Sequence, residues 1–359
     1  MKVLVLVAAY PDNEGNTQMM YAHTRNIAYI EAGLSVDVLN FSCNRPYTID
    51  GVSVIGMNDY LKSKNEYELL ISHAPNIRSH YRFLKKFGNR FHRFVFFFHG
   101  HEVLRCRKAY PAPYKYVKVN PISSIIQDCY DSFKLNIWHR FFVSVAGKSD
   151  FIFVSNWMKE QFFRWTRIPE EVLETKTHIT YNCVGKQFED GVYDETSTKE
   201  YDFVTIRGSL DVSKYAIDVV NKLAKGTHRG KFLVIGQGDY FTYNKKADNI
   251  DWIPRSMSHM EIVSHLDRAK YALMPTKTDA QGVMMCEMAA YGIPVITSDI
   301  SVCHEVFDGF SNAFFIDNDA TKSLDEFLDR SVPSKKDDRF YQKRTVAKEI
   351  SIILGTESK

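Results

Sequence analysis

The sequence lacks closely spaced cysteines and long apolar segments. None of its six cysteines belongs to a CxxC pair, so neither a zinc-binding motif nor a disulfide framework is indicated. The apolar run from Val3 to Ala9 is far shorter than the roughly 18 to 20 residues that span a bilayer, and it lacks the cleavage pattern of a signal peptide. We therefore expect a cytoplasmic protein whose cysteines are buried thiols and which binds no metal.

A glycine-rich dinucleotide motif is also absent after the first predicted strand. The loop from Ala9 to Gly15 has no GxGxxG pattern and places acidic side chains where a pyrophosphate would bind. This disfavours a dinucleotide-dependent dehydrogenase. The 359 residues are 45% hydrophobic and 25% charged, which is typical of a folded globular protein and is enough for two domains.

Charge is distributed unevenly along the chain. Residues 1–185 contain 23 Lys and Arg against 16 Asp and Glu, whereas residues 186–359 contain 23 against 27. The first half is therefore basic and the second half acidic. This asymmetry favours an anionic ligand or surface for the first half.

The hydrophobic pattern predicts an α/β protein with two Rossmann-like, doubly wound domains facing each other across a cleft. Short β-branched and aromatic runs, beginning with Lys2 to Ala9, alternate with helix-compatible segments. The polar stretch from Gly185 to Glu200 is typical of a linker. We expect a first domain over residues 1–185, a second over 186–335, and a C-terminal helix within 336–359 that packs back toward the first domain.

The segment from Met274 to Val295 carries the most specific motif. A predicted strand ends before a polar loop, and a helix begins near Gly282, so the free N–H groups of its first turn face the loop and can receive phosphate. Asp279 lies in the loop and Glu287 lies eight residues later, inside the helix. Two hydrogen-bond acceptors beside a phosphate suit the hydroxyls of a sugar and a ribose, so the segment predicts a nucleotide-sugar site.

This motif resembles that of the retaining glycosyltransferases of the GT-B fold, family four, also called glycosyl transferases group 1. The family has Glu-x7-Glu followed by a helix of small residues and Gly-x-Pro-Val, and this chain has Asp279-x7-Glu287 followed by Gly-Ile-Pro-Val. The one departure is that the first acid is Asp. The resemblance implies that Glu287 binds the nucleotide ribose, and that Asp279 and the backbone at Gly282 and Val283 face the donor sugar and diphosphate.

Two further segments of the second domain extend the resemblance. Arg207 and Lys214 look like the pair that holds the donor diphosphate in the family, although their spacing is slightly longer than expected. A leaving diphosphate gains negative charge and needs fixed cations when no metal is present. Gly236 and Gly238 resemble the family's nucleotide-side Gly-x-Gly loop, a pattern that alone would be weak.

The first domain contributes a histidine and a glycine to the resemblance. His99 ends a strand, as does the family's histidine near the transferred sugar, and His101 is the alternative. Gly15 lies in a loop that resembles the family's first loop near the acceptor. The resemblance thus implies catalytic roles for His99, Asp279, Arg207 and Lys214, and nucleotide-sugar binding by Glu287, Gly282, Val283, Gly236, Gly238 and Gly15.

The resemblance implies a metal-independent, retaining glycosyltransferase of the bacterial surface-polysaccharide type. Such an enzyme would need no cofactor beyond its nucleoside-diphosphate-sugar donor and would have no nucleic-acid partner. It would move a hexose or a deoxyhexose, such as rhamnose, to a hydroxyl of a saccharide or lipid-linked saccharide. A nucleotide-sugar epimerase of the same fold, or a non-catalytic protein that binds sugar nucleotides, remains open.

Residues 78–93 predict peripheral association with the inner face of the plasma membrane. Residues 69–101 contain no Asp or Glu, and within 78–93 basic side chains alternate with aromatic and aliphatic ones. Such a helix-compatible pattern suits anionic lipid headgroups. The same pattern would also fit a helix that covers the sheet with its aromatic side chains in the core.

Overall fold

The computed structural model describes residues 1–16 and 18–356, which form two compact units. The first unit comprises Met1–Arg105, Asp128–Cys183 and Gln342–Lys359, and the second comprises Cys106–Gln127 and Val184–Tyr341. The segment Cys106–Gln127 thus belongs to the second unit although it lies in the first half of the sequence. Residues 357–359 of the expected C-terminal segment lie outside the described residues.

Each unit has one β-sheet at its centre. The strands of the first sheet are β1 (Lys2–Val7), β2 (Ser35–Asn40), β3 (Tyr47–Ile49), β4 (Val52–Ile55), β5 (Leu69–His73), β6 (Arg93–Phe98), β7 (Ser149–Phe153) and β8 (Thr177–Ile179). Those of the second sheet are β9 (Tyr201–Ser209), β10 (Phe232–Gln237), β11 (Ile250–Ile253), β12 (Ala269–Leu273), β13 (Val295–Ser298) and β14 (Ala313–Ile316).

Helices connect most of the strands. They are α1 (Met20–Glu31), α2 (Met57–Lys62), α3 (Arg82–Phe87), α4 (Cys106–Ala109), α5 (Pro121–Val145), α6 (Asn156–Thr166), α7 (Lys186–Asp190), α8 (Ile217–Gly226), α9 (Tyr240–Tyr243), α10 (His259–Asp267), α11 (Val283–Tyr291), α12 (Ser301–Phe307), α13 (Asp325–Leu328) and α14 (Gln342–Leu354).

The first sheet has the strand order β3-β4-β2-β1-β5-β6-β7-β8. All neighbouring strands are parallel except β3 and β4, which form an antiparallel hairpin. Asp50 and Gly51 link that pair with φ angles of 47° and 79°, the backbone that an Asp-Gly hairpin turn adopts. Strand order reverses between β1 and β5, which places a crevice at their carboxyl ends.

A buried ion pair holds the C-terminal helix α14 within the first unit. Arg25 of α1 donates from Nε to both oxygens of Glu349 at 2.9 and 3.1 Å. Tyr29 and Thr180 also donate to that carboxylate, at 2.8 and 3.0 Å. Burial works against the charge of Arg25, yet the Glu349 carboxylate outweighs it and raises the pKa of the guanidinium.

The second sheet is parallel throughout, with the order β11-β10-β9-β12-β13-β14. This is the doubly wound order 3-2-1-4-5-6, so the predicted α/β class with two doubly wound sheets is confirmed. Strand order reverses between β9 and β12. A ligand of this unit is therefore expected beyond the carboxyl ends of those two strands.

The stretch from Gly185 to Glu200, expected as a linker, packs into the second unit. Its residues Lys186–Asp190 form helix α7, and Phe188 is fully buried. The Tyr193 hydroxyl donates to the carbonyl of Ala269 at 2.6 Å. Two aromatic side chains in a polar stretch are enough to anchor it, which polar composition alone does not reveal.

The basic and aromatic segment 78–93 does not present its aromatic side chains at the surface. Phe83, Phe87 and Phe91 are buried, whereas Arg82 and Lys86 are exposed. The alternative interpretation, a helix that covers the sheet with its aromatics inward, is therefore correct for this segment. Within the described part of the chain, no helix is long and apolar enough to cross a membrane.

Candidate functional site

Arg207 lies at the carboxyl end of β9, at the point where the strand order of the second sheet reverses. Its Nη2 donates to the carbonyl of Pro275 at 2.5 Å, while its Nε is buried without a hydrogen-bond partner. Burial lowers the pKa of the guanidinium, and the negative charge of Asp279 partly offsets that effect. A buried cation with a spare donor is suited to bind an anion.

Lys214 and Asp279 meet beside this arginine. The Lys214 Nζ lies 3.7 Å from the Asp279 Oδ1, and the same Asp279 oxygen accepts the N–H of Ala280 at 2.8 Å. Tyr215 lies between the two cations, with its ring centre 5.2 Å from the Arg207 guanidinium and 4.9 Å from the Lys214 Nζ. The structure therefore brings together three of the four residues to which the resemblance gives catalytic roles.

Helix α11 begins directly after this cluster. Gly282 is its N-cap, with φ of 75°, and no side chain caps the helix there. A Cβ at Gly282 would approach the Met285 side chain to 2.5 Å, so the position favours glycine for both conformation and space. The first turn can therefore offer the N–H groups of Val283 and Met284 to an anion, while that of Met285 donates to the Gly282 carbonyl at 3.0 Å.

Glu287 is buried in the second turn of α11, with 5% of its surface exposed. Burial raises the pKa of its carboxyl to about 7, although the backbone N–H of Gly185 offsets part of the effect. The imidazole of His259 lies beside this carboxyl, with its Nε2 3.8 Å from Oε1. Sequence reasoning missed His259, which comes from the start of α10, far from any motif.

Gly236 and Gly238 bring the loop after β10 against the loop after β9. A Cβ at Gly236 would lie 2.4 Å from the carbonyl oxygen of Arg207, and one at Gly238 would lie 2.8 Å from the Asp211 carboxylate. Asp211 in turn accepts the N–H of Asp239 at 2.9 Å. The two glycines therefore allow a close approach of backbones beside the predicted diphosphate site.

Three tyrosines of the segment Cys106–Gln127 also belong to this site. The hydroxyl of Tyr116 donates to Asp211 at 2.7 Å, and that of Tyr114 donates to Asp218 at 2.9 Å. The Tyr110 ring lies 5.6 Å from the Lys214 Nζ. The clustered aromatics of this segment are visible in the sequence, but nothing in their spacing indicates which sheet they contact.

His99 follows β6 in the first unit, in a partly buried position. Its Nε2 lies 3.2 Å from the Nδ1 of His73, and its backbone N–H donates to Glu102 at 3.1 Å. Burial, together with the positive charge of Arg25, lowers the pKa of His99 well below its ordinary value. The ring is therefore neutral near pH 7. His101, the alternative, is exposed.

Gly15 lies in an exposed turn after β1. Its φ is 100°, and a Cβ there would meet nothing within 4 Å. Asp12 organises the turn by accepting the N–H groups of Glu14 and Asn16 at 2.9 and 3.1 Å. Glycine is therefore favoured at this position by the left-handed backbone of the turn. Its role beside an acceptor stays a prediction.

Comparisons with known proteins bear on the sequence of the second unit and on the fold. Residues 212–345 match the family model described as Glycosyl transferases group 1. The fold is similar to that of sucrose-phosphate synthase from Thermosynechococcus elongatus, with a TM-score of 0.69 and 12% identity over 99% of this chain and 98% of that chain. A glycosyltransferase from Rickettsia africae gives a TM-score of 0.68 and 13% identity, with 99% and 98% covered.

A third similar structure is the Anabaena protein HepE in complex with UDP and glucose, with a TM-score of 0.65 and 12% identity over 99% of this chain and 100% of that chain. The chain has the GT-B fold, and part of its second unit is similar in sequence to the group 1 glycosyltransferases. No curated protein sequence gives a significant match. The group 1 match includes Lys214, Asp279 and Glu287, whereas Arg207 precedes it.

The described part of the chain contains no candidate metal centre. Among residues 1–16 and 18–356, no group of three or more His, Cys, Asp or Glu side chains is arranged to hold a metal ion. Cys286 and Cys303 are buried thiols, and burial raises the pKa of both. The cations of the candidate diphosphate site are the side chains of Arg207 and Lys214.

Proposed function

We propose that this protein is a retaining, metal-independent glycosyltransferase that moves a hexose or deoxyhexose from a nucleoside diphosphate to a hydroxyl of a saccharide or lipid-linked saccharide. The observation that supports the proposal most is the grouping of Arg207, Lys214 and Asp279 at the beginning of α11. Two cations and a helix N-terminus are a complete set of groups for a diphosphate. The nearby carboxylates then suit the sugar and the ribose.

In the proposed reaction, the bond between the anomeric carbon and the diphosphate oxygen breaks while the acceptor oxygen attacks the same carbon. Negative charge grows on the departing diphosphate, and Arg207 and Lys214 stabilise that charge. Their positions are fixed before the reaction, since Arg207 is held by Pro275 and Lys214 by Asp279. The acceptor attacks on the same face of the sugar that the diphosphate leaves, and the proton of its hydroxyl passes to the departing diphosphate oxygen as the new C–O bond forms.

The remaining residues have supporting roles in this proposal. Asp279 accepts hydrogen bonds from the donor sugar, and Glu287 accepts them from the ribose. Neutral His99 is suited to donate or accept a hydrogen bond at a sugar hydroxyl without adding charge. Because HepE is described with UDP and glucose, UDP-glucose is the first donor to test.

The test is a transfer assay with UDP, GDP and dTDP sugars and a panel of saccharide acceptors. Wild-type protein should release nucleoside diphosphate only when an acceptor is present, with activity retained in EDTA and the donor's anomeric configuration kept in the product by NMR. Arg207→Ala should lower kcat/KM by about 100-fold or more, whereas the matched control Arg229→Ala, an exposed arginine of the same unit, should not. Formation of an isomeric nucleotide sugar without any acceptor would favour the epimerase instead.

Peripheral association with an anionic membrane is part of the proposal, through a different surface from residues 78–93. At the start of α5, Ile122, Ile125 and Ile126 are 67%, 64% and 63% exposed. Residues 103–127 contain no Asp or Glu. Exposed basic residues precede the isoleucines, namely Arg107, Lys108, Lys115 and Lys118. An apolar helix face beside a basic segment suits an anionic leaflet.

Vesicle flotation tests this surface. Wild-type protein should float with phosphatidylserine-containing vesicles more than with neutral ones at low salt. A variant with Ile122, Ile125 and Ile126 changed to serine should lose most of that difference, because apolar burial supplies much of the binding. Met260→Ser removes another exposed apolar side chain of the second unit and serves as the control. Equal flotation of the triple variant and wild type would refute the surface.

A further inference from the structure

The first unit contains a groove of about 760 Å³ that none of the motifs above explains. This volume is within the usual range for sites that bind small molecules, roughly 300 to 1,000 Å³. We propose that the groove binds the phosphate-bearing part of the acceptor, so that the acceptor is a phosphorylated sugar or a lipid phosphate. The inference rests on the proposed glycosyl transfer, and it adds the chemical class of the acceptor.

The groove lies where the topology of the first sheet predicts a ligand. Ala8 follows β1, Phe41 and Ser42 follow β2, and Asn76 follows β5, and all four line the groove. The carboxyl ends of β1 and β5 are the place where strand order reverses in this sheet. Ligands of open parallel sheets bind in the crevice at such a point.

Three cations along one helical face border the groove. Arg78 lies in the π-helical turn Ile77–Tyr81, which leads directly into α3 with Arg82 and Lys86. The three residues are spaced four apart, are exposed, and all line the groove. Four-residue spacing places side chains on the same side of consecutive helical turns. Residues 69–101 contain no Asp or Glu, and no carboxylate lines the groove among the described residues. The three charges are therefore available to an anion from solution.

The polar groups beside the cations are already engaged with their own chain. The Ser42 hydroxyl donates to the carbonyl of Ala8 at 2.7 Å, and the Ser79 hydroxyl donates to the Asn76 side chain at 2.8 Å. These hydroxyls therefore do not act as free donors for a neutral sugar. Recognition at this end of the groove relies on charge, which favours a phosphate over an uncharged hydroxyl group.

Apolar side chains form the rest of the lining. Phe41, Met57, Phe83 and Phe87 line the groove, and the rings of Phe83 and Phe87 are almost fully buried in the core beneath it. A ligand that fits both parts has a phosphate joined to an apolar surface. The apolar face of a sugar ring and an isoprenoid chain both meet that description, so the experiment must separate them.

Isothermal titration calorimetry of the full chain tests the inference with three probes: inorganic phosphate, glucose 6-phosphate and farnesyl phosphate. The protein carries Arg207→Ala throughout to weaken binding at the donor site, and any binding that remains there is common to the groove variant and its parent. A groove variant combines Arg78→Gln, Arg82→Gln and Lys86→Gln. The matched control combines Lys85→Gln and Arg90→Gln, which remove exposed charges of the same segment that do not line the groove.

At least one of the two organic phosphates should bind more tightly than inorganic phosphate, and its affinity should fall with added salt. The groove variant should lose about tenfold or more in affinity, because each lost charge-assisted hydrogen bond is worth that much. The control variant should stay within about twofold of its parent. Tighter binding of glucose 6-phosphate identifies a sugar phosphate, and tighter binding of farnesyl phosphate identifies a lipid phosphate.

Two results would overturn the inference. One is the absence of binding of all three probes at millimolar concentration, and the other is equal affinity in the groove variant and its parent. Neither result touches the proposed function, which is judged separately by donor-dependent transfer in protein with Arg207 intact. Conversely, phosphate binding that depends on Arg78, Arg82 and Lys86 in a protein without any transferase activity would show an anion-binding groove and refute the proposed function.

Discussion

Replacing Glu287 by glutamine is expected to stabilise the second unit and to weaken nucleotide binding at the same time. The carboxyl is 5% exposed, and its pKa of about 7 reflects burial that the Gly185 N–H only partly offsets. Burial also lowers the pKa of His259, its neighbour at 3.8 Å, so the imidazole is neutral above pH 7. At pH 8 the wild-type protein therefore holds a poorly solvated carboxylate.

The size and the pH dependence of the effect follow from this pKa. The ordinary pKa of the carboxyl is 4.5, and its pKa in the folded protein is about 7. This difference corresponds to on the order of 3 kcal/mol in the free energy of unfolding. Because the folded pKa is raised, the protonated carboxyl contributes to the stability of the folded state. This contribution is fully present below pH 4.5 and is lost as the pH rises from 4.5 through 7. Glutamine has no proton to lose, so the stability advantage of the variant should grow over that interval and then remain constant.

Nucleotide affinity should change in the opposite direction. A carboxylate accepts hydrogen bonds from two ribose hydroxyls, whereas the glutamine amide offers one acceptor oxygen and one donor. The loss is expected to be about 1 to 3 kcal/mol, or roughly five- to 150-fold in Kd. Wild-type affinity should also fall as the pH drops below 7 and Glu287 takes up a proton, whereas the affinity of Glu287→Gln should not depend on this titration.

Urea unfolding followed by hydrogen-exchange mass spectrometry of α11 peptides reports on the second unit alone. We would measure wild type and Glu287→Gln at about pH 4.5, 6 and 8, and titrate each with UDP, GDP and dTDP. Asp248→Asn, which removes an exposed carboxylate of the same unit, is the control for net charge. A variant that is less stable than wild type at pH 8, or a difference that does not change with pH, would refute the reasoning.

Substitutions at two other residues, Asp279 and Glu349, test the donor sugar contact and the buried ion pair. Asp279→Ala should abolish transfer but keep nucleotide affinity within about threefold. Asp279→Glu should change the ranking of kcat/KM among donor sugars in the transfer assay. If Asp279→Glu keeps the wild-type ranking, the carboxylate has only a structural role. Glu349→Leu should destabilise the first unit by about 3 to 5 kcal/mol in urea unfolding, because Arg25 is left buried and unpaired. As a control, Glu326→Leu removes the exposed ion pair with Arg330 and should cost less than about 1 kcal/mol.

The donor half of the candidate site could be predicted from the sequence because its parts follow individual strands. Arg207 lies near the carboxyl end of β9. Asp279, Gly282 and Glu287 follow β12, the strand that pairs with β9. Adjacent parallel strands bring their carboxyl ends to one edge of the sheet, so strand assignment alone brings these residues together. The Arg207 to Lys214 spacing, longer than the family's, still brings the lysine to Asp279.

The contributions of His259 and of Cys106–Gln127 could not be predicted in the same way. His259 reaches Glu287 only because helices α10 and α11 pack together with α7, a contact between helix faces that no local pattern encodes. Tyr114 and Tyr116 contact residues that follow them by 104 and 95 positions, namely Asp218 and Asp211. Contacts over such distances depend on the path of the chain, which short-range spacing does not determine.

The acid-free stretch 69–101 shows how one sequence pattern supports different chemistry depending on burial. Basic side chains four residues apart, with aromatics between them, suit a lipid surface if the aromatics face out and an anion-binding groove if they face in. In the structure Phe83 and Phe87 are buried beneath the groove, while Arg82 and Lys86 stay exposed at its edge. The apolar side chains exposed elsewhere, at the start of α5, would then meet the membrane. The basic residues that line the groove and those that precede α5 would then bind different anions, the acceptor phosphate and the lipid headgroups. Charge substitutions in one segment should therefore leave the binding at the other unchanged.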